Sequence, residues 1–238
     1  GAKYVTDSYL FTHPISTTIG ADISDQSDRR KRYNNIRGDR GSKVFDQLES
    51  FRNNAFYFQQ SYLLNNKINI IWGSRWDNDK IESLDYYISD GLGSGFTSLN
   101  NTSPFAGLTY LLNKSMSIYT NYSNHYETPT LNELSNDPDS LSVGGFNPKL
   151  NPQISNSFEI GSKGYVNNYF YYDIALFRSK IDNEITSFEL EESPGKTFYR
   201  NIGESQKQGI EMSLSSSIGN NITLNLGYTY SKFEYANY

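Results

Sequence analysis

Hydrophobic and polar residues alternate along much of the chain with a period of two. The clearest case is the pair of segments 210–218 and 222–230, which are separated by a short turn at 219–221. Each segment has one apolar face and one face of small polar groups, the pattern of a β-strand. Strands of about ten residues, joined by short and long connections in turn, are typical of a transmembrane β-barrel.

The same pattern divides the chain into about nine whole strands and part of a tenth. We predict the strands at 15–24, 54–64, 68–77, 104–112, 115–124, 154–166, 169–181, 205–218 and 222–235, after a partial strand in 1–12 that ends at a turn near His13 and Pro14. Short Asn-rich turns join alternate pairs, since Asn and Gly tolerate positive φ angles. Long loops are predicted at about 25–53, 78–103, 125–153 and 182–204, the last of which can form a hairpin.

These elements predict an all-β fold, namely part of a larger antiparallel transmembrane β-barrel with short periplasmic turns and long extracellular loops. The composition, 36% hydrophobic and 15% aromatic, suits a wall with an apolar outer face, a wet inner face and aromatic girdles at the two membrane interfaces. No stretch approaches 18 consecutive apolar residues, so no transmembrane helix is predicted.

Several kinds of chemistry are excluded or disfavoured. Cysteine is absent, which excludes disulfides, Cys-ligated zinc and thiol catalysis. The net charge of -5 argues against nucleic-acid binding. The only histidines, His13 and His125, lack a second ligand at metal spacing, and Asp137 and Asp139 lack the pattern of a calcium loop. We therefore predict no catalytic residue, no metal site and no resident cofactor.

A series of short motifs appears in the later part of the chain: YTNY (119–122), ETPTLNEL (127–134), GGFNPKLNP (144–152), FEIG (158–161), YRNIG (199–203) and GIE (209–211). In this order they closely resemble the C-terminal half of TonB-dependent outer-membrane receptors, with the ferric-chelate branch, including ferric-citrate-like members, the most similar. GAD (20–22), YFQ (57–59) and GSRWD (73–77) resemble further motifs of the family.

The resemblance implies a receptor in the bacterial outer membrane that takes up a scarce nutrient, above all a ferric chelate. It implies that residues 1–238 are part of the barrel domain, without the plug domain and the closing strand. The implied partners are outer-membrane lipid and lipopolysaccharide, the plug of the full-length chain, the TonB complex through that plug, and the small-molecule ligand. The motif residues given structural roles are Pro129, Thr130, Glu133, Leu134, Asn147, Pro148, Pro152, Glu159, Gly161, Asn201, Gly203, Gly209 and Glu211.

Two other classes of protein stay open at this point. One is a passive outer-membrane pore or adhesin-like barrel without energy coupling, which would lack a plug. The other is a soluble secreted β-sandwich, which shows a similar alternation of residues. The family motifs favour the receptor.

A cationic segment in the first predicted loop supplies the ligand-binding candidates, Arg29, Arg30, Arg32 and Tyr33. Guanidinium groups suit carboxylate or catecholate oxygens, so these side chains could attract an anionic ferric chelate. The alternative is that the cations contact lipopolysaccharide phosphates or form ion pairs with Asp25, Asp28 and Asp39.

The remaining prominent side chains have structural interpretations. Pro129 is expected to begin a helical turn through Leu134 that braces a loop. The residues expected in aromatic girdles are Trp72, Trp76, Tyr119, Tyr122 and Phe158. The polar residues expected to face the lumen and brace a plug are Gln59, Arg75, Asp77 and Glu159.

Overall fold

The computed structural model describes residues 1–139, 145–167, 169–219 and 221–237. Their strands are β1 (Ala2–Leu10), β2 (His13–Ile36), β3 (Asp39–Asn65), β4 (Ile68–Asp85), β5 (Gly95–Asn113), β6 (Met116–Glu127), β7 (Gln153–Val166), β8 (Phe170–Asp182), β9 (Ile185–Glu189), β10 (Thr197–Asn201), β11 (Glu204–Ile218) and β12 (Ile222–Asn237). Short 3₁₀ turns occur at Ile88–Asp90 and Glu133–Ser135. None of the helical segments in these ranges is long and apolar enough to cross a membrane.

Ten strands form one antiparallel sheet in the order β1-β2-β3-β4-β5-β6-β7-β8-β11-β12. The all-β antiparallel prediction is therefore confirmed. Strands β9 and β10 form a separate two-stranded sheet, so the hairpin predicted within 182–204 is also present. It projects from the same end of the sheet as the other long connections.

The sequence prediction was wrong about the first two long loops. Strands β2 and β3, which are 24 and 27 residues long, continue through 25–53 to a tight turn at Arg37 and Gly38. Most of 78–103 likewise belongs to β4 and β5. These extensions carry polar residues on both faces and lack the strict apolar alternation of the membrane part, although strand pairing continues through them.

The short turns follow the prediction more closely. The Asn65 side-chain oxygen accepts hydrogen bonds from the N–H groups of Lys67 and Ile68, at 2.8 and 3.0 Å. The first turn lies at 11–12, where Phe11 has a positive φ, rather than at His13 and Pro14. The predicted turns at 167–168 and 219–221 include Asn168 and Asn220, and the GGFNPKLNP motif begins at Gly144; these three residues lie outside the described part of the chain.

Strand register gives the sheet an apolar outer face and a polar inner face. Pairs such as Ile19–Phe58, Phe56–Trp76 and Ile160–Leu176 share the outer face. Its exposed members include Ile19, Phe56, Trp76, Leu108, Tyr122, Phe158, Ile160, Leu176, Leu226 and Tyr230. Apolar surface this extensive suits contact with lipid.

The predicted girdle residues divide between the two faces. Trp72, Trp76, Tyr122 and Phe158 share the outer face, as expected. Tyr119 lies on the inner face, where its hydroxyl is 3.1 Å from an Asp173 carboxylate oxygen, so the girdle prediction is wrong for this residue. Tyr119 and Tyr122 are an odd number of residues apart and must face opposite sides of a strand.

Glycines and aromatic rings form cross-strand pairs on the inner face. The pairs are Gly20–Tyr57, Gly73–Phe105, Gly161–Tyr119 and Gly209–Phe177. In each pair, the ring occupies the space that a β-carbon at the glycine would need. At Gly161, for example, a β-carbon would lie 2.5 Å from Tyr119 Cζ. An aromatic neighbour that covers a strand glycine is a known stabilising device in sheets.

The inner face also carries a network of charged groups near its extracellular end. The Arg75 guanidinium contacts Asp22 at 2.9 Å and Asp77 at 3.0 Å. The Asn53 amide donates to Asp77 and Asp79, at 3.0 and 2.7 Å. Asp77 and Asp79 are buried, and these contacts offset the cost of removing their charges from water.

The β6–β7 connection folds back against the inner face of β3–β5. Its Leu134 and Leu150 are buried with Ile81 of β4. The partly buried residues around this cluster are Phe51, Leu99, Leu131, Phe146 and Tyr199. The short helix predicted over 130–134 is a single 3₁₀ turn, Glu133–Ser135, and it holds Leu134 in the cluster. A hydrophobic core therefore lies at the extracellular end of the sheet, which we call the mouth, and it holds the β6–β7 connection in place.

Candidate functional site

A cleft of about 540 Å³ lies between the β2–β3 extension, the β6–β7 connection and the β9–β10 hairpin. Its cationic lining residues are Arg30, Arg32 and Lys196, its aromatic ones are Tyr33, Phe45 and Tyr87, and its amides are Gln47, Asn132 and Asn136. The volume falls within the usual range for small-molecule sites, and most of the lining side chains are polar or charged.

Three of the four predicted ligand-binding residues meet in this cleft. Arg30, Arg32 and Tyr33 line it from strand β2, rather than from a loop. Arg29 points to the opposite face, because successive residues of a strand alternate. Its Nε donates to the Asp46 carboxylate at 3.0 Å, and its guanidinium carbon lies 4.4 Å from the centre of the Tyr86 ring.

The ion pairs of this segment differ from those predicted. Arg29 pairs with Asp46, and Arg30 pairs with Glu49 at 2.7 Å. The alternative interpretation of this segment had named Asp25, Asp28 and Asp39 as possible partners. Hairpin register places residues 29–32 opposite 45–48, so the partners come from β3, whereas a flexible loop would favour neighbours in sequence.

Two cations of the cleft have no carboxylate partner within the described residues. The Arg32 guanidinium carbon lies 4.2 Å from the Phe45 ring centre, and the Lys196 amine lies 5.1 Å from that of Phe198. Burial lowers the pKa of Lys196. A cation that is partly removed from water without an anion nearby is stabilised by an anionic ligand. The electrostatics of the cleft therefore favour an anion.

Asp85 is the carboxylate in the lining of the cleft, and its oxygens are already engaged. They accept hydrogen bonds from the backbone N–H groups of Tyr87 and Gly93, at 2.9 and 3.1 Å. Asp85 therefore closes the turn after β4 and places the Tyr87 ring at the cleft. No group of three or more His, Cys, Asp or Glu residues in the described ranges is placed to hold a metal ion.

The ETPTLNEL segment supports the floor of the mouth. Pro129 is fully buried. The Glu133 carboxylate accepts from the Thr130 N–H at 2.7 Å, while Thr130 Oγ1 accepts from the Glu133 N–H at 3.3 Å. This reciprocal arrangement is that of a capping box. The N–H of buried Asn147 donates to the Leu134 carbonyl at 2.8 Å, which ties the two ends of the connection together.

Asn201 joins two extracellular connections. Its side-chain oxygen accepts from the Asn151 N–H at 2.7 Å, and its amide donates to the carbonyls of Asn151 and Asn183, at 2.9 and 2.7 Å. The Gly203 carbonyl accepts from the Asn183 N–H at 3.1 Å. The YRNIG segment thus fixes the base of the β9–β10 hairpin beside the NPKLNP segment.

The other motif residues lie in three places. Pro148 and Pro152 flank the turn that carries buried Leu150. Gly161 and Gly209 belong to the glycine–aromatic pairs. Glu159 and Glu211 face the inner side and line a second cavity of about 350 Å³.

We expect Asn201→Ala to loosen both connections at once. The substitution removes three hydrogen bonds to backbone groups, each of which contributes about 1 kcal/mol. Amide hydrogen exchange should therefore be faster in 149–152 and 183–186, with an unchanged rate in β7 and β8. Asn201→Asp keeps the acceptor and loses both donors, so it should give an intermediate rate; equal rates in all three proteins would contradict the assignment.

Titration of Asp46 offers a second test of this region. Hydrogen bonds from Arg29 and Lys43 lower the pKa of this buried carboxyl from its ordinary 3.8 to about 2. A lowered pKa means that the stabilisation is complete above about pH 4 and is lost as the pH falls toward 2. Carbon-13 NMR of the Asp46 carboxyl should show a titration midpoint near pH 2, and the Arg29→Gln substitution should raise this midpoint. A midpoint near pH 3.8 in the unmodified protein would refute the contact between Arg29 and Asp46.

Lys196, Tyr87, Asn132 and Asn136 could not be found from the sequence. They come from three connections that are distant in the chain. The Asn136 amide donates to the Thr197 carbonyl at 2.9 Å, and this contact brings the hairpin turn with Lys196 over the cleft. The only signal was the Pro-Gly turn before Lys196, which predicts a hairpin but gives no indication of its direction.

Comparison with known proteins identifies the family. The family model "TonB dependent receptor-like, beta-barrel" matches residues 2–238. A probable TonB-dependent siderophore receptor, PiuA of Acinetobacter baumannii, is 30% identical over 178 residues, which are 71% of this chain and 23% of that protein. The chain thus spans about a quarter of the length of this curated relative.

Solved structures show the same fold. The siderophore receptor PiuA from Acinetobacter baumannii superposes with a TM-score of 0.77 at 21% identity, over 98% of this chain and 37% of that one. The ferric citrate transporter FecA in its unliganded form gives 0.74 at 15% identity, over 98% and 34%. The predicted resemblance is confirmed, and the chain belongs to the TonB-dependent receptor family of bacterial outer-membrane β-barrels.

Proposed function

We propose that this chain forms part of the wall and mouth of a receptor that captures an anionic ferric chelate and takes it up with energy from the TonB complex. The observation that carries the proposal is the mouth cleft, where Arg32 and Lys196 have no carboxylate partner among the residues that the structure describes. The similarity to a probable siderophore receptor and to a ferric citrate transporter is consistent with it.

The chemistry of the cleft suits such a ligand. Carboxylate, hydroxamate and catecholate chelates of iron carry oxygen atoms at their periphery, and guanidinium and ammonium groups donate charge-assisted hydrogen bonds to them. Tyr33 and Phe45 add flat apolar surface for an aromatic or alkyl part of the chelate. Tyr33 is itself held in place, because the Arg40 guanidinium carbon lies 3.5 Å from its ring centre.

Several further parts of the proposal concern the whole protein. Residues 1–238 would form part of its barrel domain, and a plug would contact the inner face around Arg75 and Asp77. The TonB complex would act through that plug, and lipid and lipopolysaccharide would contact the outer face. The receptor would need no resident cofactor and no catalytic residue, since the ligand is transported unchanged.

Uptake of radioactive iron by iron-limited cells tests this function. Cells that lack the receptor are compared with cells that carry it on a plasmid, each supplied with ferric citrate, ferric catecholates or ferric hydroxamates. Receptor-dependent uptake of at least one chelate should be abolished in a strain without TonB. Uptake that persists there would indicate a passive pore, and no receptor-dependent uptake of any ferric chelate would reject the ligand class.

A further inference from the structure

The ten-stranded sheet divides toward its extracellular end, between β5 and β6. Backbone pairing of these two strands runs from their periplasmic turn only as far as Phe105 and Ser123. Beyond that point, residues 95–104 of β5 pair with β4 alone, and residues 124–127 of β6 pair with β7 alone. The part of β5 without a partner on this side is about 33 Å long. We call this division the seam; no backbone hydrogen bond between described residues crosses it.

The seam separates the mouth into two halves. One half consists of the extended strands β2–β5, and the other of the upper parts of β6, β7, β8 and β11 with the β9–β10 hairpin. Each half is held together by backbone pairing, which reaches Asp85 in β3–β4 and Asp182 in β8–β11. The contacts across the upper seam are apolar, where Leu99 of β5 and Leu131 and Phe146 of the β6–β7 connection surround the same core. Side chains therefore hold the halves together.

The lower part of the seam contains a polar cavity of about 380 Å³. Its charged and titratable lining residues are Arg75, Asp77, Asp79, His125 and Tyr126. Asp79 lies on β4, three residues beyond the girdle residue Trp76, and is only 3% exposed. The Tyr126 hydroxyl is buried, faces Asp79 from the other side of the seam, and has no other hydrogen-bond partner among the described residues. Asp79 and Tyr126 thus meet across the seam.

The surroundings of Asp79 disfavour its ionised form. Burial is the largest influence and raises the pKa of Asp79, and the negative charge of Asp77 raises it further. The influences that lower this pKa do not outweigh the burial, and they come from Asn53, Tyr126 and Arg75. The Arg75 guanidinium compensates little, because it already contacts Asp22 at 2.9 Å and Asp77 at 3.0 Å. A closed seam therefore holds a carboxylate that lacks sufficient counter-charge.

The direction of the pH dependence follows from this shift. Opening of the seam would let water reach Asp79, and its pKa would return toward the ordinary 3.8. The closed state has the higher pKa and binds the proton more tightly, so acid favours the closed seam and a rising pH favours the open one. The ratio of open to closed molecules changes by about tenfold for each pKa unit between the two states.

We propose that Asp79 and Tyr126 form a proton-controlled latch across the seam. With a proton on Asp79, the neutral pair stays buried and the two halves of the mouth remain together. Without it, water enters the cavity to solvate the carboxylate, and the halves separate. The ligand cleft has Arg32 on one half and Lys196 on the other, so the latch also sets its width. The latch depends on strand pairing alone, and it can be tested without any chelate.

The test measures the width of the seam in the full-length receptor in detergent. Spin labels are attached to Ser98→Cys on β5 and Glu127→Cys on β6, which are both exposed positions, and residues 1–238 contain no cysteine. Pulsed electron paramagnetic resonance should show a longer distance in a growing fraction of molecules as the pH rises from about 4.5 to 8. The control pair Ser27→Cys and Ser98→Cys lies within one half and should keep its distance at every pH.

Three variants assign the effect to the latch. Asp79→Asn removes the titrating group and should keep the seam closed at every pH. Tyr126→Phe removes a donor to the ionised carboxylate and should increase the open fraction at high pH. His125→Gln removes the other group of the cavity that can titrate in this range and should leave the pH dependence unchanged. A distance that does not change with pH in the unmodified receptor, or a pH dependence that persists in Asp79→Asn or disappears in His125→Gln, would overturn the proposal.

Discussion

A receptor with Arg32→Glu should bind its anionic ferric chelate about 100-fold more weakly than the unmodified protein. A hydrogen bond to a charged group contributes about 1.5–3 kcal/mol, and charge reversal adds repulsion, so a loss of about 2.7 kcal/mol is expected. Lys196→Glu should act in the same direction, because Lys196 is the other cleft cation that has no carboxylate partner in the described part of the chain. Equilibrium binding of the chelate identified by uptake measures both effects.

Lys31→Glu is the matched control for this prediction. Lys31 is the neighbour of Arg32 on β2, and the net charge changes by the same amount in both variants. Its side chain faces outward, away from the cleft, because strand residues alternate. Affinity should therefore change less than about threefold, the effect of a distant exposed charge. Equal losses in the two variants would mean that overall charge attracts the chelate and that the cleft does not bind it.

The second large effect is expected at Gly209. A β-carbon there would collide with the Tyr230 carbonyl oxygen and would lie 2.9 Å from Phe177 Cζ. Because the obstacle includes backbone, Gly209→Val must displace a neighbouring strand, and a cost of about 3 kcal/mol is expected. Urea unfolding of the purified receptor should show this loss, together with a lower yield of folded protein in the outer membrane.

Ser213→Val provides the comparison on the same strand and the same face. Ser213 is exposed and already has a β-carbon, so the substitution places no new β-carbon against the neighbouring strands. Its stability should differ from that of the unmodified receptor by less than about 0.5 kcal/mol. A Gly209→Val protein that unfolds at the same urea concentration as Ser213→Val would show that β11 and its neighbours can move apart without cost.

The membrane part of the wall could be predicted from the sequence, because lipid on one side and water on the other impose a strict alternation. Segments such as 54–64 and 68–77 therefore lie within β3 and β4. The extensions to Ile36 and Asp85 could not be predicted. Those segments lie outside the lipid, so no strict alternation is imposed on them, and Arg30 or Lys80 can occupy a strand or a loop equally well.

Sequence analysis could identify only those residues of the site that lie together in one segment of the chain. The cationic run at 29–33 was recognised, but the separation of Arg29 from Arg32 depends on strand alternation in a region that was expected to be a loop. Lys196 joins Arg32 only after the β9–β10 hairpin has folded against the β6–β7 connection. Contacts between distant connections have no local pattern, and the sequence therefore gives no sign of them.

The glycine–aromatic pairs have a consequence for how the strands find their alignment. The pairs lie at the interfaces β2–β3, β4–β5, β6–β7 and β8–β11, whose strands are connected at the extracellular end. At the other interfaces, such as β3–β4, a tight periplasmic turn already sets the alignment. A shift of two residues between β6 and β7 would move Tyr119 away from Gly161 and onto a residue with a side chain. At β4–β5, β6–β7 and β8–β11, each pair therefore favours one alignment at an interface where a longer connection leaves several open. At β2–β3, the pair supports the alignment that the tight turn at Arg37 and Gly38 already sets.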